Sequence, residues 1–112
     1  MTAQSTERIT DHLAAEDIAL QGVLEALADP VRRSIVRQLA DSERNMACGT
    51  FDIHVTRSTS THHFKVLRRA GILRQQYEGT VKTNSLRRAD LDRAFPGLLD
   101  AIIEAARREA DR

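Results

Sequence analysis

Tryptophan is absent from this sequence, and Phe51, Phe64, Phe95 and Tyr77 are all the aromatic residues it has. With so few large rings, a chain of 112 residues builds a thin core, and contact with a second copy would supply the missing burial. A single cysteine, Cys48, cannot form an internal disulfide framework and fits a reducing compartment. No apolar run approaches a membrane span and no basic-then-apolar leader is visible, so the expected location is the cytoplasm, with no membrane partner. There is no Gly-rich phosphate loop and no convincing nucleophile and base, which argues against an enzyme. Repeats and low-complexity tracts are missing too, and the length fits one domain, 1–112.

What the chain does have is charge, unevenly placed. Its net charge of +1 hides a polarised molecule. Residues 57–88 carry Arg57, Lys65, Arg68, Arg69, Arg74, Lys82, Arg87 and Arg88 against Glu78 alone, whereas the first thirty residues set Arg8 against Glu7, Asp11, Glu16, Asp17, Glu25 and Asp29. One end suits phosphate and the other does not.

The basic stretch also has a readable form. Thr56 is a suitable N-cap, Ser60, Phe64 and Leu67 make a narrow apolar stripe at i, i+4 and i+7, and Ala70-Gly71 stops the helix. A hairpin follows, Ile72 to Tyr77 and Val81 to Leu86 around a Glu78-Gly79 turn. A polar helix followed by a basic hairpin is the form of a winged helix-turn-helix.

Upstream, residues 1–8 are expected to fray, and Ile9, Leu13, Leu20, Val23, Leu24 and Leu27 mark helical material over 9–28, in two pieces around Glu16-Asp17. Asp29-Pro30 begins a helix to about Ala40 that buries Val31, Ile35, Val36 and Leu39. Met46 to Ile53 is expected as the short first helix of a helix-turn-helix over 46–70, with the turn at His54–Thr56 and the wing at 72–87. Asp90–Ala94 reads as a turn of helix. Pro96 then starts a last helix, 96–110, whose Leu98, Leu99, Ile102 and Ile103, together with Leu13 and Leu20, are expected to form a homodimer interface. Packing on the chain's own core is the competing reading of that stripe. The fold class is thus mostly α with a small β-hairpin, a winged helix-turn-helix dimeric through its N- and C-terminal helices.

The segments ALADPVRRSIVRQLA, STSTHHFKVLRRAGIL and YEGTVKTNSL, in this order and at these distances, resemble the ArsR/SmtB family of bacterial transcriptional repressors over roughly residues 22–105. The resemblance implies a winged-helix homodimer that binds an inverted repeat in double-stranded DNA and blocks transcription until an effector weakens binding. Arg57, Ser58, Thr59, Thr61 and His62, in the N-terminal half of the recognition helix, would reach base edges. Lys65, Arg68 and Arg69 would touch phosphate or solvent, and Thr80 and Lys82 would act near the wing tip.

The sensor is where this chain departs from the family. Metal-sensing relatives carry a Cys-x-Cys pair where this chain has Met46-Ala47-Cys48-Gly49-Thr50, and one thiolate cannot make that site. A second family site uses Asp and His on the last helix; Asp90, Asp92, Asp100 and Glu104 are present, but that helix has no histidine. The remaining metal candidates are Cys48 with Asp52 or His54, and His12 acting across a dimer, with nickel, cobalt or zinc as the fitting ions. Adjacent His62 and His63 point about 100° apart on a helix and do not share an ion readily. No cofactor is required by the sequence. Cys48 reads either as a small core hydrophobe or as a redox thiol without a resolving partner. Two other readings stand beside the effector-responsive repressor: a DNA-binding subunit whose sensing belongs to a second regulatory protein, and a winged-helix protein-protein module.

Overall fold

In a computed structural model, which describes residues 9–112, the order is α1 (Leu20–Ala26), α2 (Pro30–Asp41), β1 (Met46–Ala47), α3 (Arg57–Arg69), β2 (Leu73–Glu78), β3 (Val81–Leu86), α4 (Arg88–Ala94) and α5 (Leu98–Ala110), with 3-10 turns at Ala15–Asp17 and Cys48–Thr50. The fraying expected for 1–8 lies outside the described residues. The three strands form one antiparallel sheet of order β1-β3-β2 beside the helices, the arrangement of a winged helix-turn-helix. None of the described helices is long and apolar enough to cross a membrane.

Helices α2 and α3 start on side-chain caps, and α3 stops on a glycine. The Asp29 carboxylate accepts from the amides of Val31 and Arg32 at 2.8 and 3.1 Å, and Pro30 occupies the first position of α2, where a missing N–H costs nothing. Helix α3 opens on Thr56, whose hydroxyl accepts from Thr59 N. It closes in a Schellman motif, with Ile72 N donating to Leu67 O and Gly71 N to Arg68 O, and Gly71 taking the required positive φ of 85°. The core joins Ile35, Val36 and Leu39 of α2 to Phe64 and Leu67 of α3, Ile72 and Leu73 at the root of the wing, and Leu99 and Ile103 of α5. Phe51 and Phe64 rings meet at 5.2 Å between centroids.

Several expectations are corrected. The helix expected over Met46–Ile53 does not form: Met46–Ala47 is recruited as a third strand on β3, one 3-10 turn follows, and the rest is extended. Gln38 of α2 supplies the hydrogen bonds a helix would have made, donating to Asp52 O at 3.0 Å and accepting from Asp52 N at 2.8 Å. The hairpin turn lies one residue later than expected, at Gly79-Thr80, so β2 runs through Glu78. Only Gly79 has positive φ, which fits a II′ turn. Helix α5 begins at Leu98 after Gly97, and not at Pro96.

The N-terminal helical stretch reduces to a 3-10 turn and α1. Before them the chain is a strap whose polar groups bond other elements instead of one another: Asp11 reaches Arg68 and Arg69, His12 the amide of Gln75, and Leu13 O accepts from Arg87 at 2.6 Å. The expected dimer stripe is divided as well. Leu99 and Ile103 are buried within this chain, at 3% and 2% exposure, and belong to its own core. Leu13, Leu98 and Ile102 are half-buried against that core, and Leu20 and Leu24 stay exposed.

A methyl group at Gly71 would lie 2.6 Å from Ile18 Cγ1 as well as forcing a side chain into positive φ, while one at Gly79 would meet nothing within 4 Å. Gly79→Ala should therefore cost only the backbone term, about 1–2 kcal/mol, and Gly71→Ala distinctly more. Urea unfolding of the two variants side by side checks the order.

Candidate nucleic-acid interface

Helix α3 is anchored by a narrow face and presents the rest. Taking about 100° per residue, Ser58, His62, Lys65 and Arg69 fall at its apex, opposite buried Phe64 and Leu67, and all four are exposed. Arg57, Thr61 and Arg68 lie on the flank turned toward the wing. Thr59 lies on the other flank, so the base-reading set expected from sequence is spread over three sides of one helix.

The hydroxyls on α3 are already partly engaged. Thr61 Oγ1 donates to Arg57 O at 3.0 Å, which leaves its lone pairs as acceptors for an outside donor. Thr56 Oγ1 lies 2.9 Å from Thr59 Oγ1 and 3.3 Å from Ser58 Oγ, so the cap also fixes the first two polar side chains of the helix. His62 makes no hydrogen bond among the described residues, and His63, next to it, is buried. Thr80 is exposed in the wing turn. Lys82 sits 5.8 Å above the Tyr77 ring, an arrangement that holds its stem against the sheet.

Not every cation in the basic stretch is free. Arg69, expected at the DNA, lies 3.4 Å from the Asp11 carboxylate. Arg68 is drawn inward: Nη2 donates to Asp11 Oδ2 at 2.9 Å and Nη1 to Gln75 Oε1 at 2.5 Å, while Nε is 2.9 Å from Asp11 Oδ1 but off the N–H axis. The hydrogen bonds from Arg68 hold the Asp11 carboxyl below the usual carboxylate range. Arg87 and Arg88 pair with Asp90 and Asp100. Among the described residues this leaves Arg57, Lys65, Arg74 and Lys82 without an ion pair, all on α3 or the wing.

Behind them is a buried amide pair. Gln75 and Asn84 face each other across β2 and β3, with Gln75 Nε2 donating to Asn84 Oδ1 at 2.9 Å. Asn84 Nδ2 donates to Met46 O at 3.0 Å and lies 3.3 Å from Cys48 Sγ. Sequence reasoning missed this pair, as it missed Asp11; the signal available was Gln75 alternating with the inward Leu73 along β2.

The metal candidates do not converge in this chain. Cys48 faces the amides of Gln75 and Asn84, His12 Nε2 accepts from Gln75 N at 2.9 Å, and Asp52 and His54 form a separate, exposed pair at 3.4 Å. Among the described residues no three His, Cys, Asp or Glu side chains come together as a metal site.

Comparison with known proteins gives the same reading of the fold. Residues 27–76, from the end of α1 through α2, α3 and most of β2, match the model of a helix-turn-helix domain. The chain is similar to the uncharacterized HTH-type transcriptional regulator YceK of Bacillus subtilis, 30% identical over 82 residues that cover 71% of this chain and 82% of that protein. It is also similar to the uncharacterized HTH-type transcriptional regulator MJ1325 of Methanocaldococcus jannaschii, 32% identical over 59 residues, 52% of this chain and 66% of the other.

Two histidines brace α3 and the wing in their neutral form. His63 Nδ1 accepts from Arg32 Nη1 at 3.1 Å; a guanidinium only donates, so the ring proton is on Nε2. Burial pushes the His63 pKa below its ordinary value, with Arg32 and His62 acting the same way against Asp29. His12 is lowered too, by burial and by Arg74, Arg68 and Arg87 against Asp11. Both folded values lie below the unfolded value near 6.5, so the unfolded chain takes up protons first. Stability should be intact above that value, fall as the pH drops through it, and stop falling below the folded pKa values. Unfolding midpoints across this range should show the drop in the wild type, a smaller one in His63→Gln, and the least in the variant lacking both histidines.

Proposed function

The chain belongs to the helix-turn-helix transcriptional regulators, and from that membership we propose that it is an effector-responsive repressor of the ArsR type, holding a pseudo-palindromic operator as a homodimer. As a regulator of this class it binds double-stranded DNA. The observation that carries the finer reading is the coincidence of the apex of α3 with the unpaired cations: Ser58, His62 and Lys65 project from one helix, flanked by Arg57 and by Lys82 of the wing. Two such helices about one turn of DNA apart, ~34 Å, enter successive major grooves. Arg57 offers the bidentate donor pair that suits guanine, and Lys82 offers a point charge for phosphate.

The homodimer is supported by what α1 leaves uncovered. Leu20 and Leu24 are 47% and 46% exposed, beside a small apolar hollow lined by Val23, Leu27, Phe95, Leu98 and Ile102. Exposed leucines next to an unfilled apolar hollow are what a self-complementary interface covers.

Binding of the chain to duplex DNA from its own upstream region, against a scrambled duplex and over a salt series, tests the reading. Arg57→Ala should narrow the ratio between the two duplexes. Lys82→Ala should weaken both alike and lower the salt slope by about one, while Arg69→Ala, whose charge is spent on Asp11, should change little. Leu20→Glu with Leu24→Glu should give a monomer by sedimentation and lose operator affinity. Equal affinity of the wild type for both duplexes would sink the proposal.

A further inference from the structure

The helix that does not form over 46–53 leaves room between the 48–55 segment, α3 and the wing. The room is a groove of about 550 Å³, within the range of small-molecule sites. Phe51, Ile53, Val55 and Phe64 give it an apolar wall; the two Phe are buried and in ring contact, so the wall is rigid. Its other side is cationic. Arg57, Lys65 and Lys82 line it, each without an ion pair among the described residues, and no carboxylate does. At the floor, Gln75 and Arg68 are tied to each other by the 2.5 Å bond and closed to further change.

From this combination we infer that the groove binds a small organic anion, an aromatic or branched carboxylate with its ring or chain on Phe51, Ile53, Val55 and Phe64 and its charge on Arg57, Lys65 and Lys82. Taken together, the two halves suit no other small ligand as well. Inorganic phosphate would leave the apolar wall wet, and a neutral hydrocarbon would strand three cations at the edge of a desolvated surface. The cations it would occupy are those the flank of α3 and the wing offer to DNA, so anion and operator exclude each other. This last consequence rests on the DNA-binding reading given above; occupancy of the groove does not.

The probe is 1-naphthoate, titrated by calorimetry into the full chain without DNA. One saturable site per chain is expected, with 1-naphthalenemethanol and inorganic phosphate each binding at least about tenfold more weakly. Val55→Asp places a like charge on the wall and should abolish binding. Arg57→Gln changes only an exposed side chain, tests the charge without endangering the fold, and should weaken binding about tenfold. Saturating 1-naphthoate should then lower the affinity for the upstream duplex. Equal binding of the alcohol, tight binding of phosphate, or indifference to both substitutions overturns the site, and naphthoate binding that leaves duplex affinity unchanged overturns the competition. If the chain fails to bind the duplex even without naphthoate, the operator reading is what fails, and the titration without DNA still decides the groove.

Discussion

The arrangement of this molecule depends on one buried amide pair, Gln75 and Asn84. Both are closed to solvent, at 2% and 0% exposure, and amides in such a place must find their partners inside the protein. Their mutual bond sets the register of β2 on β3, because a slip by one residue would turn one of them to the opposite face and bury its neighbour instead. The remaining donors and acceptors then place everything nearby. Asn84 draws in Met46 O and so creates β1; Gln75 accepts from Arg68 and so fixes the end of α3 against the sheet. Helix α3 and the wing are positioned relative to each other by this knot together with the apolar contact of Leu67, Ile72 and Leu73.

Charge is sorted by the same contacts. The N-terminal acids that set the polarity of the sequence are not an idle counterweight. Asp11 consumes Arg68 and Arg69, and Asp29 is spent on the start of α2. What reaches the surface unpaired is a subset of the basic stretch, Arg57, Lys65, Arg74 and Lys82, and that subset borders α3 and the wing. A count of charges along the sequence therefore overstates the unpaired positive groups about twofold while locating them correctly.

How far the sequence could be read follows from where the information lies. Helices α2 and α3 were legible because cap, period and stop agree: Asp29-Pro30 at one start, Thr56 at the other, Gly71 at the end of α3. The wing was legible within a residue; its turn moved because Gly79, and not Glu78, takes the positive φ. The segment 46–53 was misread because its backbone is satisfied from outside, by Gln38 and Asn84, and no local pattern announces a partner so distant in sequence. The contact of Arg69 with Asp11 was illegible for the same reason, since Asp11 lies 58 residues away along the chain. The apolar residues of α5 were read as a dimer interface, and Leu99 and Ile103 turn out to lie in the chain's own core, because a single sequence does not say which chain covers a given leucine.

Arg32 joins α1 and the cap of α2 to α3. Its Nε donates to Ala26 O at 2.5 Å at the C-terminus of α1, its amide is held by the Asp29 cap of α2, and its Nη1 holds His63 of α3. A rotation of α1, the helix with the exposed leucines, must either carry Arg32 along and pull on α3 or break a charge-assisted hydrogen bond in a half-buried place. The second course is costly, because it leaves a guanidinium or a carbonyl without its partner. The angle of the recognition helix is thereby tied to the position of α1 by directional bonds, and apolar packing alone, being non-directional, would leave that angle softer.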